Sequence, residues 1–223
     1  MNFHPDWFGG SLLWTAAALC LPVLAYAAAG LRGVGQTRLL AAAAVLVLPQ
    51  LLQAQVSVGQ LAGGAYHLLG VNLACLMLGG RAAAAWAAVW LAVLAAARFG
   101  TDASAVWPLN VLCTVLPACA VNIAVRRWGR KRLPPNVFVY IFVYGFLAAA
   151  AGMLLTGAAV AAVLQAVGVA QAAAVFPVFL LLAWGEAFLS GLLAAVGVAF
   201  LPQLLATFDD GVYLRREKRI WKD

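Results

Sequence analysis

The sequence predicts an all-α membrane protein: a single polytopic bundle of about seven transmembrane helices, N-terminus outside and C-terminus cytoplasmic. Three observations lead there. Hydrophobic residues make up 66% of the 223 residues and charged residues only 9%, where a soluble domain carries about 25%. Several apolar stretches reach the ~18 residues expected of a membrane helix, whose backbone satisfies its own hydrogen bonds in lipid. The net charge of +7 gathers in loops and a tail, as topology signals do, and this argues against a nucleic-acid partner. The alternating pattern of a transmembrane barrel is missing.

The elements follow in order, all within one domain over residues 1–223. Residues 1–10 hold no Lys or Arg, so they lack the basic start of a cleaved signal peptide and are expected to stay in the mature protein as an extracytoplasmic segment. Pro5 and Gly9-Gly10 argue against helix there. The first helix is predicted from Ser11 to Ala29, followed by a turn carrying Arg32 and Arg38. The second runs from Leu39 to Val56 with a kink at Pro49. Ser57 to Tyr66 is a glycine-bearing re-entrant segment. A short third helix runs from His67 to Leu78, and Gly79-Gly80-Arg81 closes it. The fourth runs from Ala82 to Ala97. The fifth runs from Ala105 to Val125, through Pro108 and Pro117, and ends in the basic run Arg126 to Arg132, read as a loop. The sixth runs from Val137 to Leu164 and the seventh from Ala174 to Leu201. Residues 203–223 form a basic cytoplasmic tail.

Charge counting sets the direction. With the C-terminus in the cytoplasm, every one of the 14 basic residues except Arg98 lies inside. The N-terminal segment, His67 and the Gly168 loop then share the outer face. Gly145, Ala149, Gly152 and Thr156 fall on one face of the sixth helix. This small-residue stripe suits close helix packing first and docking of another membrane protein second.

Four positions carry the candidate chemistry. His67 follows a Gly-Gly break at the mouth of a membrane helix, and a neutral imidazole there is a candidate metal ligand; its structural alternative is a packed interfacial histidine. Asn72, five residues on, falls about 140° around an ideal helix and is not expected beside it. His4 lies close to the amine of Met1. Amine, deprotonated amide and imidazole together suit tetragonal nitrogen ligation of Ni(II) or Cu(II). Asn2 is large for the usual excision of Met1, so Met1 is expected to stay. Glu186 is the one acidic residue deep in a predicted helix, where an unpaired carboxylate costs several kcal/mol. Ser190 is one turn along on the same face. Glu186 could neutralise a metal or amine, orient a histidine, or carry a proton.

Cys20, Cys75, Cys113 and Cys119 form no CxxC pair. They read as small core residues, with a soft Cu(I) ligand set as the sharper alternative. The amides Asn110, Asn122, Gln50 and Gln53 suit interhelical hydrogen bonds. No phosphate loop, HExxH or nucleophile elbow is present. The chain is therefore read as no enzyme, and uphill transport would need an ATPase elsewhere or an ion gradient.

The stretch Gly63-Gly64-Ala65-Tyr66-His67-Leu68-Leu69-Gly70-Val71-Asn72-Leu73-Ala74, followed by Met77-Leu78-Gly79-Gly80, resembles the histidine-bearing motif of the CbiM/NikM group. These are the substrate-binding membrane components of energy-coupling-factor (ECF) ABC transporters for cobalt and nickel. Gly185-Glu186-Ala187-Phe188-Leu189-Ser190-Gly191 resembles that group's Glu-containing last helix. The resemblance implies an N-terminus tucked into the bundle, with the Met1 amine, the Asn2 amide and His67 on the metal. It departs at Asn2, where the group has its histidine, leaving His4 nearest.

The resemblance also implies a multi-pass protein of the bacterial cytoplasmic membrane, embedded in the lipid bilayer. Its partners would be a transmembrane coupling protein and a cytoplasmic ATPase pair. The metal ion is the substrate, Ni or Co favoured and Cu or Zn open, with no organic cofactor. The metal residues expected are thus Met1, Asn2, His4 and His67, supported by Glu186 and Ser190. Two alternatives stand beside this reading. One is an ECF-type binding component for a small organic molecule, lined by Trp7, Phe8, Trp107, Phe138, Tyr140 and Trp184. The other is a proton-coupled carrier using Glu186.

Overall fold

The computed structural model describes residues 3, 5–56, 66–100, 103–169 and 172–214. Its order is α1 (Gly10–Ala28), α2 (Gln36–Val56), α3 (Val71–Leu78), α4 (Gly80–Phe99), α5 (Ala103–Asn110), α6 (Leu116–Arg132), α7 (Ala148–Ala166), α8 (Ala172–Phe200) and the short α9 (Asp210–Tyr213). Among the described residues there is no strand. Five helical runs among the described residues are long and apolar enough to cross a membrane: Gly10–Leu31, Gly80–Ala97, Ser104–Arg132, Val139–Ala166 and Val175–Phe200. Gln36–Leu51 is a shorter apolar helix. Large apolar side chains such as Trp14, Leu181, Phe188 and Phe200 cover the outer surface, as lipid-facing positions should.

Two of the long runs contain π-helical segments, Val111–Val115 before α6 and Val139–Leu147 before α7. In both, a backbone N–H reaches back five residues, Leu116 to Val111 and Ala148 to Val143. Carbonyls that an α-helix would use then become available to neighbours.

At the centre is α3, whose eight residues are all buried. It packs against α2, α4, α6, α7 and α8. At ~1.5 Å per residue it is about 12 Å long, well short of the ~30 Å hydrocarbon core. The structure corrects the predicted start of this helix at His67. Residues 66–70 are non-helical, and α3 begins only after Gly70, whose φ of 66° is left-handed. A side chain on Gly70 would run into the Val45 carbonyl of α2, so glycine is required on both counts.

The basic run Arg126 to Arg132 is corrected from loop to the last turns of α6. Arg and Lys are good helix formers, and the helix stops only where Leu133 turns extended before Pro134-Pro135. The small-residue stripe is covered from within. Gly145 meets Gly191 and Ala194 of α8, Gly152 meets Ala118 of α6, and Thr156 is buried. This overturns its use as a docking face for another protein. The interhelical reading of the stripe is the one that applies.

The polar connections gather at one end. Arg38 Nε donates to the Gln203 carbonyl at 2.7 Å, and Arg81 donates to the Tyr26 carbonyl at 2.8 Å with its guanidinium over the Tyr26 ring. The Ala206 and Thr207 amides bond the Met77 and Leu76 carbonyls at the end of α3.

Candidate metal-binding segment

The site is built where the non-helical segment 66–70 enters the bundle. Tyr66 sets its edge against Phe179 of α8, ring centroids 5.8 Å apart. His67 is 4% exposed. Its Nδ1 lies 2.8 Å from the Leu68 carbonyl. A carbonyl can only accept, so Nδ1 carries a proton and donates. A metal-binding imidazole is oriented in this way, by a hydrogen bond on the nitrogen that does not meet the metal.

The next residues are held by α8. Leu68 packs on Gly185, where a Cβ would come within 3.2 Å of the Leu68 side chain. Glu186 then grips the backbone: the Leu69 amide donates to Oε2 at 2.8 Å and the Gly70 amide to Oε1 at 2.9 Å. Gly185-Glu186 thus works as a unit, one residue giving room and the next giving two acceptors. The carboxylate also lies at the N-terminal end of α3, where a negative charge is favourable. Non-helical backbone at membrane depth is tolerated only when buried protein groups satisfy it, and Glu186 supplies this. Ser190 is buried one turn along α8, but the partners of the carboxylate are these two amides.

Behind the segment is a polar knot in which Asn122 makes the interhelical bond expected of it and Asn72 is its unexpected centre. Asn72 Nδ2 donates to the Tyr144 and Gly145 carbonyls at 3.1 and 2.9 Å, and its Oδ1 accepts from Asn122 Nδ2 at 2.8 Å. The Tyr144 carbonyl, which an α-helix would commit to Ala148, accepts from Asn72 because the chain is π-helical there. Asn72 is therefore a positioning residue for α3, as the angular argument against its sharing the His67 site leaves open.

The N-terminal segment also enters the bundle. Phe3 is 4% exposed, and its amide donates to Asn110 Oδ1 at 3.0 Å. Phe3 and Phe8 pack edge to face at 5.2 Å. Asn110, expected to join helices, instead receives this backbone. Met1, Asn2 and His4 lie outside the described residues, as do Gly63, Gly64 and Ala65.

Among the described residues no group of three His, Cys, Asp or Glu side chains converges. Cys75 and Cys119 meet at 3.5 Å between sulfurs, and all four cysteines are buried and free. Cys20 and Cys113 do not enlarge that pair into a three-residue group. Nor do the six aromatics form one lining, since Phe138 and Trp184 stand on the outer surface while Tyr140 is fully buried.

The family model for CbiM, described as the cobalt uptake substrate-specific transmembrane region, matches residues 5–204. The chain belongs to this family, and is a membrane component of cobalt or nickel uptake. No curated protein and no solved structure gives a match.

Proposed function

From that membership we propose that the chain is the substrate-binding component of an ECF-type ABC transporter, and that the His67 segment carries its divalent metal. His67 would offer Nε2. The Met1 amine, the Asn2 amide and the His4 ring would complete a nitrogen-rich set, with His4 standing in for the histidine that the family resemblance puts next to Met1. Glu186 would hold the His67 backbone in register, and Ser190 would fill the space beside it. Energy would come from a transmembrane coupling protein and a cytoplasmic ATPase pair. The basic end of the bundle would face the cytoplasm of a bacterium, and the metal would enter from outside.

The observation that carries this reading is the His67 segment itself. A buried imidazole has its Nδ1 committed to a backbone carbonyl, while a buried carboxylate fixes the Leu69 and Gly70 amides. The Phe3–Asn110 bond supports it by drawing the N-terminal segment into the bundle. Four nitrogen donors would favour Ni(II) or Cu(II) by geometry, and family membership favours Co or Ni.

The test is metal content of purified protein by elemental mass spectrometry, after equilibration with equal nickel, cobalt, copper and zinc. One near-stoichiometric metal is expected, lost in His67→Ala and strongly reduced in His4→Ala. A folded wild type that retains none of the four would refute the metal reading and favour an organic substrate or proton coupling through Glu186.

A further inference from the structure

At the basic end a cavity of about 610 Å³ opens between the end of α6, the start of the α7 run and the segment that follows α8. Arg126 and Arg130 line it together with Tyr144, Thr207, Asp209 and Tyr213. Arg126 is only 9% exposed, and its buried Nε has no hydrogen-bond partner among the described residues. Arg130 is four residues on, on the same face of α6, so two guanidinium groups border one space. Holding one of them out of water costs several kcal/mol unless an anion answers it. Asp209, on the same wall, has its Oδ1 committed to capping α9, where it accepts from the Gly211 amide. Thr207 is already committed. The Thr207 hydroxyl donates to the Leu76 carbonyl and so accepts from Tyr140.

The placement of Arg126 is built into the fold. Gly129 lets the Tyr144 ring approach α6 so closely that any side chain there would collide with it. The Phe208 and Tyr213 rings stack at 5.4 Å and close the opposite wall. A planar donor fork at the mouth of a rigid aromatic cavity is the arrangement that matches a tetrahedral oxyanion.

We propose that this cavity is a phosphate-binding site, with Arg126 and Arg130 holding the oxygens of one phosphoryl group. That group belongs to a free phosphate or to the head group of an anionic lipid. The site is independent of the metal reading.

Delipidated protein in a neutral detergent would be titrated with sodium phosphate, with sodium chloride at matched ionic strength, and with phosphatidylglycerol against phosphatidylcholine. Unfolding would be followed by tryptophan fluorescence. A saturable rise in Tm is expected with phosphate beyond chloride, or with phosphatidylglycerol beyond phosphatidylcholine, and which of them acts identifies the source. Arg130→Ala, at an exposed position, and Arg126→Lys, which keeps the charge and loses the planar fork, should each raise the half-saturating concentration about tenfold. No saturable response to either probe overturns the proposal. So does a response that both variants retain at wild-type concentrations.

Discussion

Replacing Glu186 by Gln tests the central feature of the site. The side chain keeps its shape but offers one oxygen where the carboxylate offered two. One of the Leu69 and Gly70 amides, now bonded at 2.8 and 2.9 Å, would face an NH2 group. An unsatisfied buried amide costs about 1–3 kcal/mol, and the surviving bond falls from the charged to the neutral range, about 1 kcal/mol more. Against this, removing a buried carboxylate relieves a desolvation cost of several kcal/mol. The two nearly cancel in global stability, so Tm is expected to move little. The local effect does not cancel. The backbone beside His67 loses one of its two anchors, and metal affinity should fall about 10–100-fold, as it does when a supporting group is removed. Isothermal titration with nickel and cobalt reads the affinity. Hydrogen exchange in the peptide containing Leu69 and Gly70 reads the clasp without any metal. Affinity within twofold of wild type, together with unchanged exchange, would refute the argument that Glu186 positions His67.

Two further substitutions probe the same region. Gly70→Ala places a Cβ at a left-handed φ of 66° and against the Val45 carbonyl; the conformation alone costs about 1–2 kcal/mol, so a lowered Tm and faster exchange of the 66–70 peptide are expected. Asn72→Ala removes three hydrogen bonds, which at the ~0.6 kcal/mol average measured inside membranes come to about 2 kcal/mol. Denaturant unfolding checks it, with Asn122→Ala as the second arm of a double-mutant cycle, and additive effects of the two changes would show that the amides do not interact.

The sequence made the helices readable because lipid demands long apolar runs, although the helix expected to end at Val125 runs seven residues further, to Arg132. It also made His67 and Glu186 readable, since each is an ionisable group where apolar residues surround it. It did not show that Glu186 takes two backbone amides, because an amide carries no letter in a sequence. Asn72 was judged by its angle to His67 on an assumed helix, but His67 is not in a helix, so the angle had no meaning. The Arg126 to Arg132 run looked like a loop because positive residues mark topology, although long cationic side chains extend helices well and carry their charge to the membrane surface. The π-helical stretch at Val139–Leu147 left no signal, as it has no proline or glycine pair to announce it. Its consequence, a spare Tyr144 carbonyl for Asn72, was therefore invisible as well.

A broken helix in a bilayer raises two opposite demands, and this fold meets both from one source. The start of α3 has backbone amides that need acceptors, and its end has carbonyls that need donors. Glu186 in the middle of α8 takes the Leu69 and Gly70 amides. The Ala206 and Thr207 amides, just beyond the end of α8, supply donors to Met77 and Leu76. A short helix with every side chain buried cannot flex within itself, because close-packed interiors do not deform continuously. Its position is set by what grips it, and α8 with its continuation holds both ends while Asn72 ties its first turn to α6 and the π-helical run. The placement of His67 thus depends on α8 more than on the neighbours of His67 in sequence. This also gives a physical reason for a carboxylate inside a helix that otherwise has no charge. A carboxylate at that position offers a separate oxygen to each amide, where a glutamine would have one oxygen for both.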